Sequence, residues 1–295
     1  MSFPHDLNVA ILLLVLLAVV ISMSLIKNGR PSSAILARWS LWLCASAGMA
    51  ILLNEFHVST KPMWATALFC WLLWLLVETL YNWLAIDALS RSGLPLFPKY
   101  RLNDNGSEWP AGRSFIKLRE TLRSLQMRFV VSAVGQLGSD DYVRCPVYEN
   151  ADKTLRIHIY FLPTSGGNLQ SFYSIATLLK DGRRIVTDNV YMPYGGFYPE
   201  SMFLERRPLV RSLKTLLKIH EKRVGAAGGM AETWSLDPVA DLNSQQQELE
   251  KLNTDLGFLV EPALREEFGN ITREGRYRIW KEILMLNYFG RSIDY

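Results

Sequence analysis

The sequence predicts a membrane-anchored α+β protein: three N-terminal transmembrane helices, then a cytoplasmic antiparallel β-meander of about five strands flanked by helices, then a C-terminal helical appendage. Three observations carry this. Apolar stretches at Leu7–Ile26, Trp39–Leu53 and Met63–Ile86 fill the first third of the chain. From Arg128 the hydrophobic period changes from helical to alternating, and from Pro208 it returns to helical. The corresponding layout is a transmembrane region over 1–86, a connector over 87–113, an α+β domain over 114–225, a linker over 226–235 and a helical module over 236–295.

A bilayer core takes about 20 mainly apolar residues of helix, because a helix satisfies its own backbone where a loop cannot. The first and third stretches have that length. The second reaches it as 35–53, with Arg38 snorkelling to the interface. Met1–Asp6 holds no Lys or Arg and no small-x-small pattern follows the apolar run, so an uncleaved anchor is expected rather than a signal peptide. Lys27, Arg30 and Arg38 lie between the first two spans, Lys61 alone between the next two, and Arg91, Lys99 and Arg101 follow the third. The positive-inside rule then predicts an integral, multi-pass protein with its N-terminus outside and its C-terminal domain cytoplasmic.

Glu78, with Asn82 one turn on, is costly inside a span and needs a partner or water. A Glu78–Arg38 pair is one reading; reach to headgroups or water is the other. Tryptophans 64, 71, 74 and 83 are read as interfacial anchors or packing residues.

Outside the spans the charge is nearly balanced: of 32 basic and 28 acidic residues, 28 and 25 lie beyond residue 86. No basic domain results, and no nucleic-acid partner is expected. The three cysteines, Cys44, Cys70 and Cys145, form no disulfide framework and suit a reducing compartment.

Gly and Pro punctuate 87–112, which reads as irregular. Ser114 caps a helix to about Met127 with Phe115, Leu118, Leu122 and Leu125 on one face. Strands follow at about Phe129–Gln136, Tyr142–Glu149, Thr154–Leu162, Leu169–Leu179 and Arg184–Tyr191. Asp181–Gly182 predicts a two-residue hairpin with positive φ at both positions. Pro208 opens a helix to about Val224 whose Arg211, Lys214, Lys218 and Lys222 form a basic stripe, a solvated face or a contact for anionic headgroups. Asp237 and Pro238 start a helix to about Leu256 with leucines at heptad spacing, a helix contact within or between chains.

The segment Asp255–Val260, a variable turn, and Ile271–Trp280 with its Thr-x-x-Gly resembles the wing end of winged-helix domains. The resemblance implies a small helix–strand–strand–helix module. Leu242–Leu256 has too few basic residues to read a groove, so DNA binding does not follow.

Catalytic motifs are absent: no His-Glu-x-x-His, Cys-x-x-Cys, phosphate loop or nucleophile elbow occurs. No cofactor, metal or catalytic residue is expected. Asp140–Asp141 and the Thr164–Gly167 run read as turns, and a Cys145–His158 pair is weighed against a structural thiol. The leading expectation is a membrane-tethered interaction or regulatory module, partnered by the bilayer and by a protein or a second copy through the spans or the 237–256 helix. An enzyme or ligand-binding domain using His158, Asp188, Tyr194 and Tyr198 on the sheet face and the 192–200 loop is the second. A small transport or channel subunit using Glu78 is the third.

Overall fold

A computed structural model describes residues 5–27, 31–104, 109–137, 142–163 and 169–293. The turns at Asp140–Asp141 and Thr164–Gly167 lie outside them. Three helices come first, α1 (His5–Lys27), α2 (Pro31–Glu55) and α3 (Met63–Arg91), with α2 packed between the other two. Ser32–Glu55 and Met63–Arg91 are long and apolar enough to cross a membrane; the described apolar part of α1, Ala10–Ile26, is shorter. Leu14, Leu36, Leu43, Phe69, Leu76 and Leu84 all point outward from this group. An apolar surface so continuous marks contact with something other than water.

The sheet has seven strands in chain order: β1 (Tyr100–Leu102), β2 (Arg128–Gln136), β3 (Tyr142–Glu149), β4 (Leu155–Pro163), β5 (Leu169–Leu178), β6 (Arg184–Asp188) and β7 (Met202–Arg206). The five predicted strands are present, and two are added. β1 lies in the stretch read as irregular; at three residues it is too short to show a period. β7 follows the aromatic loop and pairs parallel to β6, where all other pairings are antiparallel. At the β5–β6 turn only Gly182 has positive φ, 85°, and Leu179 N–H donates to Arg183 O at 2.8 Å. That is a three-residue loop with glycine in the left-handed position, one residue longer than predicted.

Helices cover both faces. On one side α4 (Arg113–Ser124) and α5 (Leu213–Ala227) bury Phe115, Leu118, Leu122, Leu213 and Leu216 against Ile157, Ile159 and Ile175. α5 starts later than predicted: Pro208 sits in a turn closed by Val210 N–H to Arg207 O, and Ser212 is the cap. On the other side α6 (Pro238–Asp255), capped by Asp237 as predicted, buries Leu242 against Ala133, Cys145 and Val147. Of the predicted heptad leucines, Leu242 thus packs on the sheet and Leu249 is buried, while Leu256 at the end of the helix is exposed. The preceding Gly-rich stretch is tied to the sheet by Glu232 N–H to Leu178 O, 2.7 Å, and by buried Trp234.

The winged-helix expectation shrinks to one antiparallel bridge, Leu259 to Ile271, with a 3₁₀ turn (Pro262–Leu264) and α7 (Arg265–Phe268) between its halves. α8 (Arg273–Leu284) and a π-helical turn (Met285–Phe289) follow. Phe258, Leu259, Ile271 and Ile279 enclose Ile86 of α3. Ser90 of α3 accepts from Ile271 N–H on its Oγ at 3.0 Å and from Asn270 N–H on its carbonyl at 2.7 Å. The C-terminal module is thus seated on the last two turns of α3.

Candidate functional site

The alternation of β3, β4 and β6 puts Glu149, Arg156, His158, Arg184 and Asp188 on the face that α6 covers. Arg156, 1% exposed, donates to Glu149 Oε1 at 2.8 Å, to Asp241 Oδ2 at 3.1 Å and to Leu236 O at 3.0 Å. Arg184 reaches Asp241 Oδ1 at 2.5 Å, and Gln245 donates to the same carboxylate. Both guanidinium groups also lie over the Trp234 ring, 4.4 and 5.0 Å from its centre. Two cations and two carboxylates make this buried group neutral, which is the condition for holding charge away from water.

His158 belongs to that group. Burial lowers its pKa to about 4, with Arg156 and Arg184 acting in the same sense and Asp241 against it. Its Nε2 is buried without a hydrogen-bond partner. A neutral imidazole of such low basicity is a poor general base near pH 7. Cys145 is fully buried and hydrogen-bonded to Tyr160, and burial pushes its thiol up, so thiolate is disfavoured and a His158-activated nucleophile is not assembled.

Asp188, Tyr194 and Tyr198 are brought together. Arg206 donates to Asp188 Oδ1 at 3.0 Å and to the Tyr198 hydroxyl at 3.3 Å. The Tyr194 and Tyr198 rings are 5.2 Å apart, and Asn253 of α6 donates to the Tyr194 hydroxyl at 2.8 Å. Burial raises the Asp188 pKa against the pull of Arg206 and lifts Tyr198 to about 12. His158 is separate: it faces Ser174, which faces Asp188, so two strand spacings of about 10 Å lie between them. The aromatic loop itself is packed down. Gly195 has φ +69°, and a Cβ there would meet the α8 backbone at Arg278 at 2.8 Å; Arg278 donates to Gly195 O and stacks on Phe197 at 3.9 Å.

The predicted basic stripe is exposed at Lys214, Lys218 and Lys222 along α5, with Arg211 exposed ahead of it. Its direction is set by the sheet. Asn189 donates to Val210 O, His220 meets Thr187 and Arg223 donates to Val186 O, so α5 runs antiparallel to β6. Leu209, ahead of α5, closes on Gly290 beside Ile35 of α2, and Lys222 lies toward the opposite end.

The arrangement that sequence reasoning missed is at the helices. Tyr288, on the π turn, donates from its hydroxyl to Glu78 Oε2, and its carbonyl accepts from Trp39 Nε1 at 2.9 Å. Burial and the adjacent Glu78 push the Tyr288 phenol up, so it remains a donor. Trp42 stacks on Trp71 at 4.7 Å and lies 5.4 Å from both Trp39 and Tyr288. Glu78 and Arg38 form no ion pair; Arg38 instead acts electrostatically on Tyr191 and Tyr288, and its Nε is buried without a partner. Tyr191 donates to Leu286 O at 2.9 Å. A continuous set of contacts therefore leads from Glu78 through Tyr288 and the π turn to Tyr191, three residues beyond Asp188 on β6. The only local signal was the aromatic content of both segments, which does not say that they meet.

Among the described residues no group of three or more His, Cys, Asp or Glu is placed to hold a metal. Compared with known proteins, the chain matches no family model, no curated protein and no solved structure.

Proposed function

We propose that this chain is a membrane-tethered regulatory module in which three spans, with the N-terminus outside, are coupled to a cytoplasmic sheet domain that presents its outer surface to a protein partner. The observation that supports it is Tyr288: one side chain on the C-terminal π turn joins Glu78 of α3 to Trp39 of α2. A tether alone would need no such contact. With Ile86 enclosed by the C-terminal core and Leu209 beside Ile35, displacement of α2 against α3 is transmitted to β6 and to the module on α3. The same contact argues against a transport subunit, since it spends Glu78 on a hydrogen bond. The enzyme reading is weakened by the ion pairs that already occupy the polar sheet face.

The test is purification of the full chain in mild detergent, beside Tyr288→Phe, with mass spectrometry of what copurifies. Recovery of a protein at near-equal amount, reduced severalfold in the variant at unchanged melting temperature, supports the proposal. A metabolite retained equally by both chains, with no protein, favours the binding or catalytic reading instead.

A further inference from the structure

β1 begins, β2 ends and β6 ends at one end of the sheet, because antiparallel alternation brings Tyr100, Gln136 and Asp188 there. It is also the end at which α2 and α3 attach. At its β1 edge lies an open cleft of about 560 Å³, one wall of which is the segment Gly93–Lys99 that leaves α3. The opposite wall comes from the C-terminal module, with Leu259, Arg265 and Asn270. Asn270 fixes the cleft to α3, donating from its backbone to Ser90 O at 2.7 Å and from its side chain to Ser92 O at 3.3 Å.

The lining is of two kinds. Pro95, Leu96, Phe97, Leu137 and Leu259 are apolar. Of the charged lining groups, Arg265 is neutralised by Glu250 at 2.8 Å and further held by Val260 O. Lys99 is exposed and forms no ion pair among the described residues, so among the described lining groups its ammonium is the charge without a counter-ion. Leu94, Leu264 and Phe268, 42, 45 and 53% exposed, carry an apolar surface on segments that flank the cleft at the end of α3.

We infer that this cleft binds one anionic phospholipid of the cytoplasmic leaflet, its phosphate on Lys99 and its glycerol and upper acyl carbons on the Leu96, Phe97 and Leu259 wall. The inference rests on the membrane-tethered reading and adds a defined lipid site to it. The volume is that of an ordinary small-ligand pocket, and its lining sets an apolar wall against the polar side chains of Lys99, Gln136, Glu250, Arg265 and Asn270. A basic group next to the surface attracts anionic lipid, and the apolar wall distinguishes lipid from a free phosphate ion.

The experiment uses the full chain in nanodiscs of equal phosphatidylcholine and phosphatidylglycerol, released into native mass spectrometry. The expected result is one retained phosphatidylglycerol in preference to phosphatidylcholine. Lys99→Glu lowers that retention about fivefold or more, and Leu137→Trp, which fills the cleft without touching the charge, lowers it too. Both variants are checked for an unchanged melting temperature, with Lys99→Gln as the milder substitute. Equal retention of the two lipids, or undiminished selectivity in Lys99→Glu, overturns the inference, as does full displacement by inorganic phosphate. Alkaline carbonate extraction of the same membranes separates the two levels. A chain released by alkali overturns the tethered reading and this site together; a chain that stays in the membrane without lipid preference overturns this site alone.

Discussion

His158 and His220 are the residues whose burial has the clearest consequence in solution. His220 is fully buried between Thr177 and Thr187, at 2.9 and 3.0 Å, and burial, with Arg223 beside it, lowers its pKa to about 4. Both histidines thus titrate near 4 when folded and near 6.5 when unfolded. Between those values the unfolded chain holds protons that the native chain does not. Stability from these groups is complete above about pH 6.5 and is lost as pH falls toward 4, by about 2 kcal/mol for each histidine at pH 5. Melting temperature should fall steeply from pH 7 to 5, and His220→Gln should flatten that slope by about half. Asp241 is the second residue to test, since it holds Arg156 and Arg184 together. Asp241→Asn leaves Arg156 on Glu149 alone and takes the carboxylate from Arg184, and should cost about 3–5 kcal/mol in thermal or urea unfolding. The exposed pair Arg183–Asp181 is the contrast: Asp181→Asn should leave the melting temperature unchanged.

At the scale of elements, local chemistry named most of the pieces and misplaced their ends. The β4 alternation of Leu155, Ile157, Ile159 and Phe161 was legible because one face is apolar while the other carries Arg156, His158 and Tyr160. The basic stripe of α5 was legible for the same reason, since Leu213, Leu216 and Leu217 are buried opposite it. β1 and β7 were not, because three residues carry no period and a parallel edge pairing depends on where a distant strand lies. The π turn is the element on which the proposed coupling rests. Replacing Tyr288 by Phe keeps the ring against Trp39 and Trp42 and removes only the donor to Glu78. Amide exchange in full-length protein should then quicken at Asp188–Tyr191 while the β2–β3 pair stays protected; equal protection at both would show that no coupling runs through this bond.

For the whole molecule the proposed tethering is tested through its orientation. In a chain with Cys44, Cys70 and Cys145 replaced, a cysteine at Val58 should react with an impermeant maleimide from outside intact cells. One at Lys218 should react only after permeabilisation. The reverse pattern would place the sheet outside and undo the orientation drawn from Lys27, Arg30 and Arg38.

Of the candidate site, the sequence named His158, Asp188, Tyr194 and Tyr198 from their residue types, and the fold joins the last three through Arg206 and Asn253. For Glu78 it offered Arg38 as one partner and headgroups or water as the other; the fold gives Glu78 to Tyr288. By itself the sequence determined the apolar helices, the change of period that makes a sheet, and the cap at Asp237, because each follows from a few neighbouring residues. Only the tertiary structure decided that Asp241 neutralises two arginines from separate strands, that α6 buries Leu242 and Leu249, and that the C-terminal turn meets the apolar helices α2 and α3. Those contacts join residues 57 to 249 positions apart, and no local pattern of charge or hydrophobicity specifies which distant partner will close them.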